Sequence, residues 1–289
     1  MKNKGFSSFI LLSVLFVIMS CARKDSSPSQ VEDLVNQAEK DAVFETVLNK
    51  ADDQINREIT RLESLNYTLT RGKSDVAECA AVVTVETPAT SKFPKTITLD
   101  YGTGCTDPEG NFRAGKIVVH ITGPYWVKGT ERHAVLIDYR YNDLKISGER
   151  LVINKGLNEN GYVVFELKNT ELIGNSNGEL LVERKIERTR ICNRGENHFY
   201  YDDNEVWITG SSLIKKNGKE VIQEITTPLY RKVLCQHFQS GVITTFIKNE
   251  KVSDLNFGNG ECDDKATWSN GTITKEITLK SWINLYSKP

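Results

Sequence analysis

Residues 134–141 read Ala134-Val135-Leu136-Ile137-Asp138-Tyr139-Arg140-Tyr141. Val135, Ile137, Tyr139 and Tyr141 occupy every second position, with Leu136, Asp138 and Arg140 between them. A period of two sends alternate side chains to opposite faces of an extended chain. The stretch therefore predicts a strand with one buried and one wet face. The pattern returns at Ile117, Val119 and Ile121, and again at Val163, Phe165 and Leu167. Turn formers separate these runs: Pro108-Glu109-Gly110-Asn111, Asn160-Gly161, Asn177-Gly178, Asn217-Gly218 and Asn270-Gly271. Asn-Gly accepts positive φ and suits tight hairpins. About ten to twelve strands follow, joined mostly by hairpins. Without long helical crossovers a parallel α/β sheet is not expected. The expected fold is mainly β, an antiparallel meander forming one extended sheet or two packed sheets over residues 71–289.

Residues 31–70 read differently. Val31, Leu34, Val35 and Ala38 recur at steps of three and four, as do Ala42, Val43, Val47 and Leu48, then Ile55, Ile59 and Leu62. This is the spacing of an amphipathic helix, one or two in number, and no Gly or Pro interrupts it. It packs on the β body or serves as a stalk. Residues 22–30, rich in Ser, read as a tether.

The first 21 residues follow the plan of a signal peptide. Lys2 and Lys4 make a basic start, and Phe9 to Met19 is apolar except for Ser13. That run is shorter than the roughly 20 residues of a membrane span. Ile18-Met19-Ser20-Cys21 resembles the lipobox of bacterial lipoproteins. The resemblance implies a diacylglyceryl thioether on Cys21, hence membrane lipid as a partner and the cell envelope as the location. Each buried CH₂ of such an anchor contributes about 0.8 kcal/mol. Ala22 stands where inner-membrane retention favours Asp, which points to the outer membrane and leaves the leaflet open. Lys24-Asp25 resembles the charged export signal of surface lipoproteins.

The chain carries 37 basic and 38 acidic residues. With Lys2 and Lys4 in the leader, the remainder stays near neutral. Nucleic-acid binding relies on clustered basic charge and is not expected.

Two distant stretches resemble each other. Cys79 precedes Ala81-Val82-Val83-Thr84-Val85, and Leu99-Asp100-Tyr101-Gly102-Thr103-Gly104-Cys105 follows. Cys235 precedes Val242-Ile243-Thr244-Thr245-Phe246, and Leu255-Asn256-Phe257-Gly258-Asn259-Gly260-Glu261-Cys262 follows. Both read Cys, strand, turn, strand, an acid or amide, an aromatic, Gly-x-Gly and Cys. This suggests duplicated ends, about 79–122 and 235–280. Export favours disulfides, and the repeat suggests Cys79 with Cys105 and Cys235 with Cys262, leaving Cys192 free. The alternative is that the repeated cysteines are buried and reduced. No C-x-x-C pair marks a zinc site.

The run Leu99 to Thr106 with Gly115-Lys116-Ile117-Val118-Val119, and the segments Ile225-Thr226-Thr227-Pro228-Leu229, Ser240-Gly241-Val242-Ile243 and Cys262-Asp263-Asp264-Lys265-Ala266-Thr267, resemble a family of Bacteroidota lipoproteins with no assigned activity. The resemblance implies an envelope setting and transfers no functional residue.

No catalytic motif stands out. His120, His133, His198 and His237 are scattered, and neither H-E-x-x-H nor G-x-S-x-G is present. Gly102-x-Gly104 is not followed by a helix, so it reads as a turn or bulge. The densest polar-aromatic cluster is His198, Tyr200, Tyr201, Asp202, Asp203, Glu205 and Trp207. Its rings offer faces to a sugar, and its carboxylates offer acceptors to hydroxyls or Ca²⁺. Asp203 with Glu205 would be the acid pair of a glycosidase. Alternatively the cluster is a hairpin tip whose aromatics are core. Glu183 to Arg190 carries mixed-sign pairs and reads as an exposed strand face, of the kind that protects an edge. The leading expectation is a non-enzymatic, lipid-anchored envelope protein that binds or scaffolds a glycan or an envelope protein, without cofactor. The alternatives are a carbohydrate-active or other hydrolytic enzyme, and a lipid or small-ligand carrier with an apolar cavity. The oligomeric state stays open.

Overall fold

A computed structural model describes residues 28–65, 71–73, 79–108, 110–194 and 201–279. Cys21, the leader, most of the tether, His198 and Tyr200 lie outside the described residues. Among the described residues the first element is an unbroken helix, α1 (Pro28–Ser64). Pro28 sets φ for the first helical turn. The helix thus starts inside the expected tether and stops short of residue 70. Fifteen strands follow among the described residues. They are β1 (Arg71–Lys73), β2 (Val82–Glu86), β3 (Lys95–Asp100), β4 (Cys105–Thr106), β5 (Phe112–Ile121), β6 (Glu131–Tyr141), β7 (Leu144–Leu157) and β8 (Val163–Asn175). Then come β9 (Leu180–Asn193), β10 (Glu205–Lys216), β11 (Lys219–Lys232), β12 (Ser240–Ile247), β13 (Glu250–Asn259), β14 (Lys265–Ser269) and β15 (Thr274–Thr278).

All strands lie in one sheet, mainly in sequence order, and every pairing is antiparallel. β4 pairs with β5 off the main path. The fold is the expected mainly β meander, in its single-sheet form. Strands beyond the expected number include two- and three-residue pieces such as β4 and β1, too short to show alternation.

A twisted open sheet of more than about ten strands tends to curl. This one curls round α1. No residue from Gln37 to Glu63 is exposed. Val31, Val35 and Ala42 share a core with Ile208, Leu229, Phe257 and Trp268 from β10 to β14. Val43 to Leu62 share another with inward residues of β2 to β10. Ile117, Val119 and Ile121 are fully buried, as expected, and so is the face of Val163, Phe165 and Leu167.

The expected face of β6 needs correction. Tyr139 and Tyr141 point inward, but Leu136 is buried while Ile137 is 46% exposed. The register with β7 shifts between Leu136 and Tyr139, and Asp138 sits at φ 48°. One extra residue in a bulge reverses the facing of everything beyond it. Opposite the bulge, Gly115 (φ +81°) comes so close that an added Cβ would lie 2.2 Å from the Asp138 carbonyl oxygen.

The charged run on β9 also needs correction. Arg184, Arg188 and Arg190 are buried, and β9 is an inner strand between β8 and β10. Glu183, Lys185 and Glu187 face outward.

Disulfides join Cys79 to Cys105 and Cys235 to Cys262, and Cys192 is a buried free thiol. The two motifs share local geometry. Asp100 Oδ1 accepts the Gly102 N–H at 2.8 Å, and Asn256 Oδ1 accepts the Gly258 N–H at 2.9 Å. Tyr101 and Phe257, between them, are buried. Yet nine antiparallel steps separate β2 from β12 along the sheet, so the two strands run in opposite directions. Seen from the interior, the two hairpins therefore turn with opposite hand. The likeness is of local motif and disulfide placement, not of a superimposable unit.

Candidate functional site on the outer face of β8 to β11

The inside of the curl is occupied by α1 and by charge. Among the described residues six arginines are buried: Arg132, Arg150, Arg184, Arg188, Arg190 and Arg231. Acids spaced along the helix meet them. Glu45 takes both Nη groups of Arg188, at 2.7 and 2.8 Å, and a bond from Arg184. Asp52 pairs with Arg132 at 2.9 Å and Arg150 at 3.2 Å. Asp53 receives Arg231 on both oxygens. Such two-pronged, charge-assisted bonds fix geometry as well as energy. Burial alone would push the Glu45 carboxyl up, but Arg188 and Arg184 overcome it and hold it well below the ordinary range. Burial likewise opposes ionisation of Asp52, and Arg150 and Arg132 hold it low. Asp41 differs. Burial outweighs its neighbours and raises it to about 6. Glu171 stands 3.0 Å from Arg150, yet neither of its oxygens accepts a hydrogen bond, and burial raises it too.

The outer face carries a different arrangement. Val164, Ile191, Trp207 and Tyr230 stand in register on β8, β9, β10 and β11. One step toward the β9–β10 loop, Asn193, Glu205 and Lys232 also stand in register. Tyr162, immediately before β8, extends this second row. Glu205 and Trp207 share a face because they are two apart, while Val206 and Ile208 between and beside them are buried. Trp207 lies parallel to Tyr162, ring centroids 5.7 Å apart, and 5.1 Å from Tyr230 at 36°. Tyr162 and Trp207 meet over β9, which separates their strands. The Tyr230 hydroxyl donates to Glu205 Oε1 at 2.9 Å, and Asn193 Nδ2 donates to Oε2 at 3.2 Å. Burial, and then the bond to Glu205, raise the Tyr230 hydroxyl to about 12, so it stays a donor. All three rings are half-buried, with surface left to offer.

The structure divides the expected cluster. Glu205 and Trp207 join the outer patch, and Asp203 is exposed on the preceding turn. Tyr201 turns inward, where its hydroxyl donates to Asp53 at 3.1 Å and accepts from Asn56 Nδ2 at 3.0 Å. Asp202 pairs with Arg57 of the helix at 2.5 Å. Both hold α1 to the β9–β10 loop. Tyr162, Asn193 and Tyr230 were missed in the sequence because only strand register brings them to Trp207. A separate recess of about 570 Å³ lies at the far end of the strands, lined by Leu213, Ile222 and Phe246 with exposed Lys219 and Lys248.

Among the described residues no group of three or more His, Cys, Asp or Glu is placed to hold a metal ion, and no helix is long and apolar enough to cross a membrane. Comparison with known protein families, curated proteins and solved structures gives no match.

Proposed function

We propose that this chain is a lipid-anchored envelope protein with a binding or scaffolding role, and that its working surface is the outer face of the sheet. The observation that carries the reading is the filled interior. A carrier of the up-and-down type keeps an apolar cavity inside its sheet, whereas here α1 and its ion pairs occupy that space. Partners are left with the outside, where the patch around Trp207 lies. The lipobox-like Ile18-Met19-Ser20-Cys21 supports the anchor, and the two disulfides suit an oxidising compartment. The test is growth of expressing cells with an alkyne-tagged fatty acid, followed by capture of the chain and detection of the tag. The reading expects a label on the wild type that is lost in Cys21→Ser. A wild-type chain without label contradicts it.

A further inference from the structure

The patch has a chemistry that narrows the ligand. One row is apolar and aromatic, and the row beside it is polar. The polar row holds an amide donor, Asn193, a carboxylate acceptor, Glu205, and an ammonium donor, Lys232. A carboxylate has about four acceptor sites. Tyr230 and Asn193 use one on each oxygen and fix the group in place. The remaining lone pairs are oriented by a preformed frame rather than by a free side chain. Glu205 and Lys232 are cross-strand neighbours of opposite sign, so the patch favours neither an anion nor a cation. A peptide that adds a strand needs an unpaired sheet edge. β8 to β11 are inner strands, paired on both sides. A ligand for this surface must therefore lie across side chains. It needs flat apolar faces for the rings and a hydroxyl edge for the polar row.

We infer that the rings of Tyr162, Trp207 and Tyr230, with Glu205, Asn193 and Lys232 beside them, bind a neutral oligosaccharide. The pyranose C–H faces rest on the rings, and the hydroxyls meet Glu205, Asn193 and Lys232. The inference rests on the outer face being the working surface of an envelope protein, and it adds the ligand class.

The experiment is calorimetric titration of the full chain, purified in mild detergent, with cellohexaose, chitohexaose and maltohexaose. At least one should bind. Trp207→Ala should weaken that binding about tenfold or more, with Tyr162→Ala similar. Trp207→Phe, which keeps an aromatic face, should stay within about threefold. Glu205→Gln, which leaves the rings in place, should weaken binding several-fold. Absence of binding by all three sugars up to about 10 mM, well above ordinary millimolar recognition, overturns the inference. So does binding that Trp207→Ala leaves unchanged. A chain that carries the fatty-acid label but binds none of the sugars refutes the sugar site alone. A chain that binds sugar without the label refutes the anchor alone.

Discussion

Arg231 on β11 holds Asp53 in the middle of α1 through one Nη group that reaches both carboxylate oxygens, at 2.7 and 2.6 Å. The two residues are 178 positions apart and almost fully buried. The pair ties the start of the chain to a strand far along the sheet. Removing one partner leaves the other charged in a dry interior, which typically costs about 3–5 kcal/mol. Asp53→Ala and Arg231→Ala should each destabilise by that much in urea unfolding. The double variant Asp53→Leu/Arg231→Met should recover most of the loss, because a packed apolar pair often matches a buried ion pair. A double variant as damaged as the sum of the two would show that Asp53 and Arg231 are not coupled and that each loss comes from the residue's other contacts.

Asp41 gives the fold an unusual pH dependence. Its folded pKa is raised to about 6, above the ordinary carboxylate value, by burial. The folded state therefore binds a proton more tightly than the unfolded state. The stability this provides is fully present below about pH 4 and is lost as pH rises through about 6, roughly 3 kcal/mol in all. Glu45 and Asp52 have lowered values and act the other way, their contribution fading as pH falls through their folded pKa. Asp41→Asn should remove the decline between pH 4 and 6. It should also raise the urea midpoint at pH 7, since Gln223, which now donates Nε2 to Asp41, can turn its amide over so that the unpartnered Oε1 accepts from the new amide. An unchanged pH profile in the variant would assign the dependence elsewhere.

Much of the fold was legible from period-two runs such as Ile117, Val119 and Ile121, because burial of one sheet face leaves a local mark. The facing of β6 was not, since a bulge at Asp138 has no hydrophobic signature. The buried arginines of β9 were misread for a physical reason. An inward Arg and an outward Arg look alike until the acid that neutralises it is known, and Glu45 lies 139 positions from Arg184. The candidate site was half legible. Glu205 and Trp207 announced themselves as local neighbours, but Tyr162, Asn193 and Tyr230 join them only through cross-strand register.

Gly115 is needed by that bulge. Both its positive φ and the nearby Asp138 carbonyl exclude a side chain. Gly115→Ala should cost about 2–3 kcal/mol, measured by chemical denaturation. A neutral result would mean that β5 and β6 relax easily at this point.

The cysteines should separate cleanly by reactivity. Each disulfide closes a loop of 26 or 27 positions, and opening either by Cys→Ser pairs should destabilise by about 3.5 kcal/mol. Burial pushes the Cys192 thiol up to about 11. The thiolate is the reactive form, so the peptide containing Cys192 should resist iodoacetamide in the native chain and react in urea without reductant. Native alkylation at Cys192 would contradict its burial.

α1 fills the interior of the curled sheet, which leaves the outer face for the proposed binding role. Hydrogen exchange of the backbone amides, resolved by peptide, reports whether α1 stays there. Amides of Asp41 to Thr60 should exchange as slowly as those of β8 and β9, through global unfolding alone. Exchange in that segment as fast as in the exposed turns would show α1 leaving the sheet, and an open interior would then be the surface to examine.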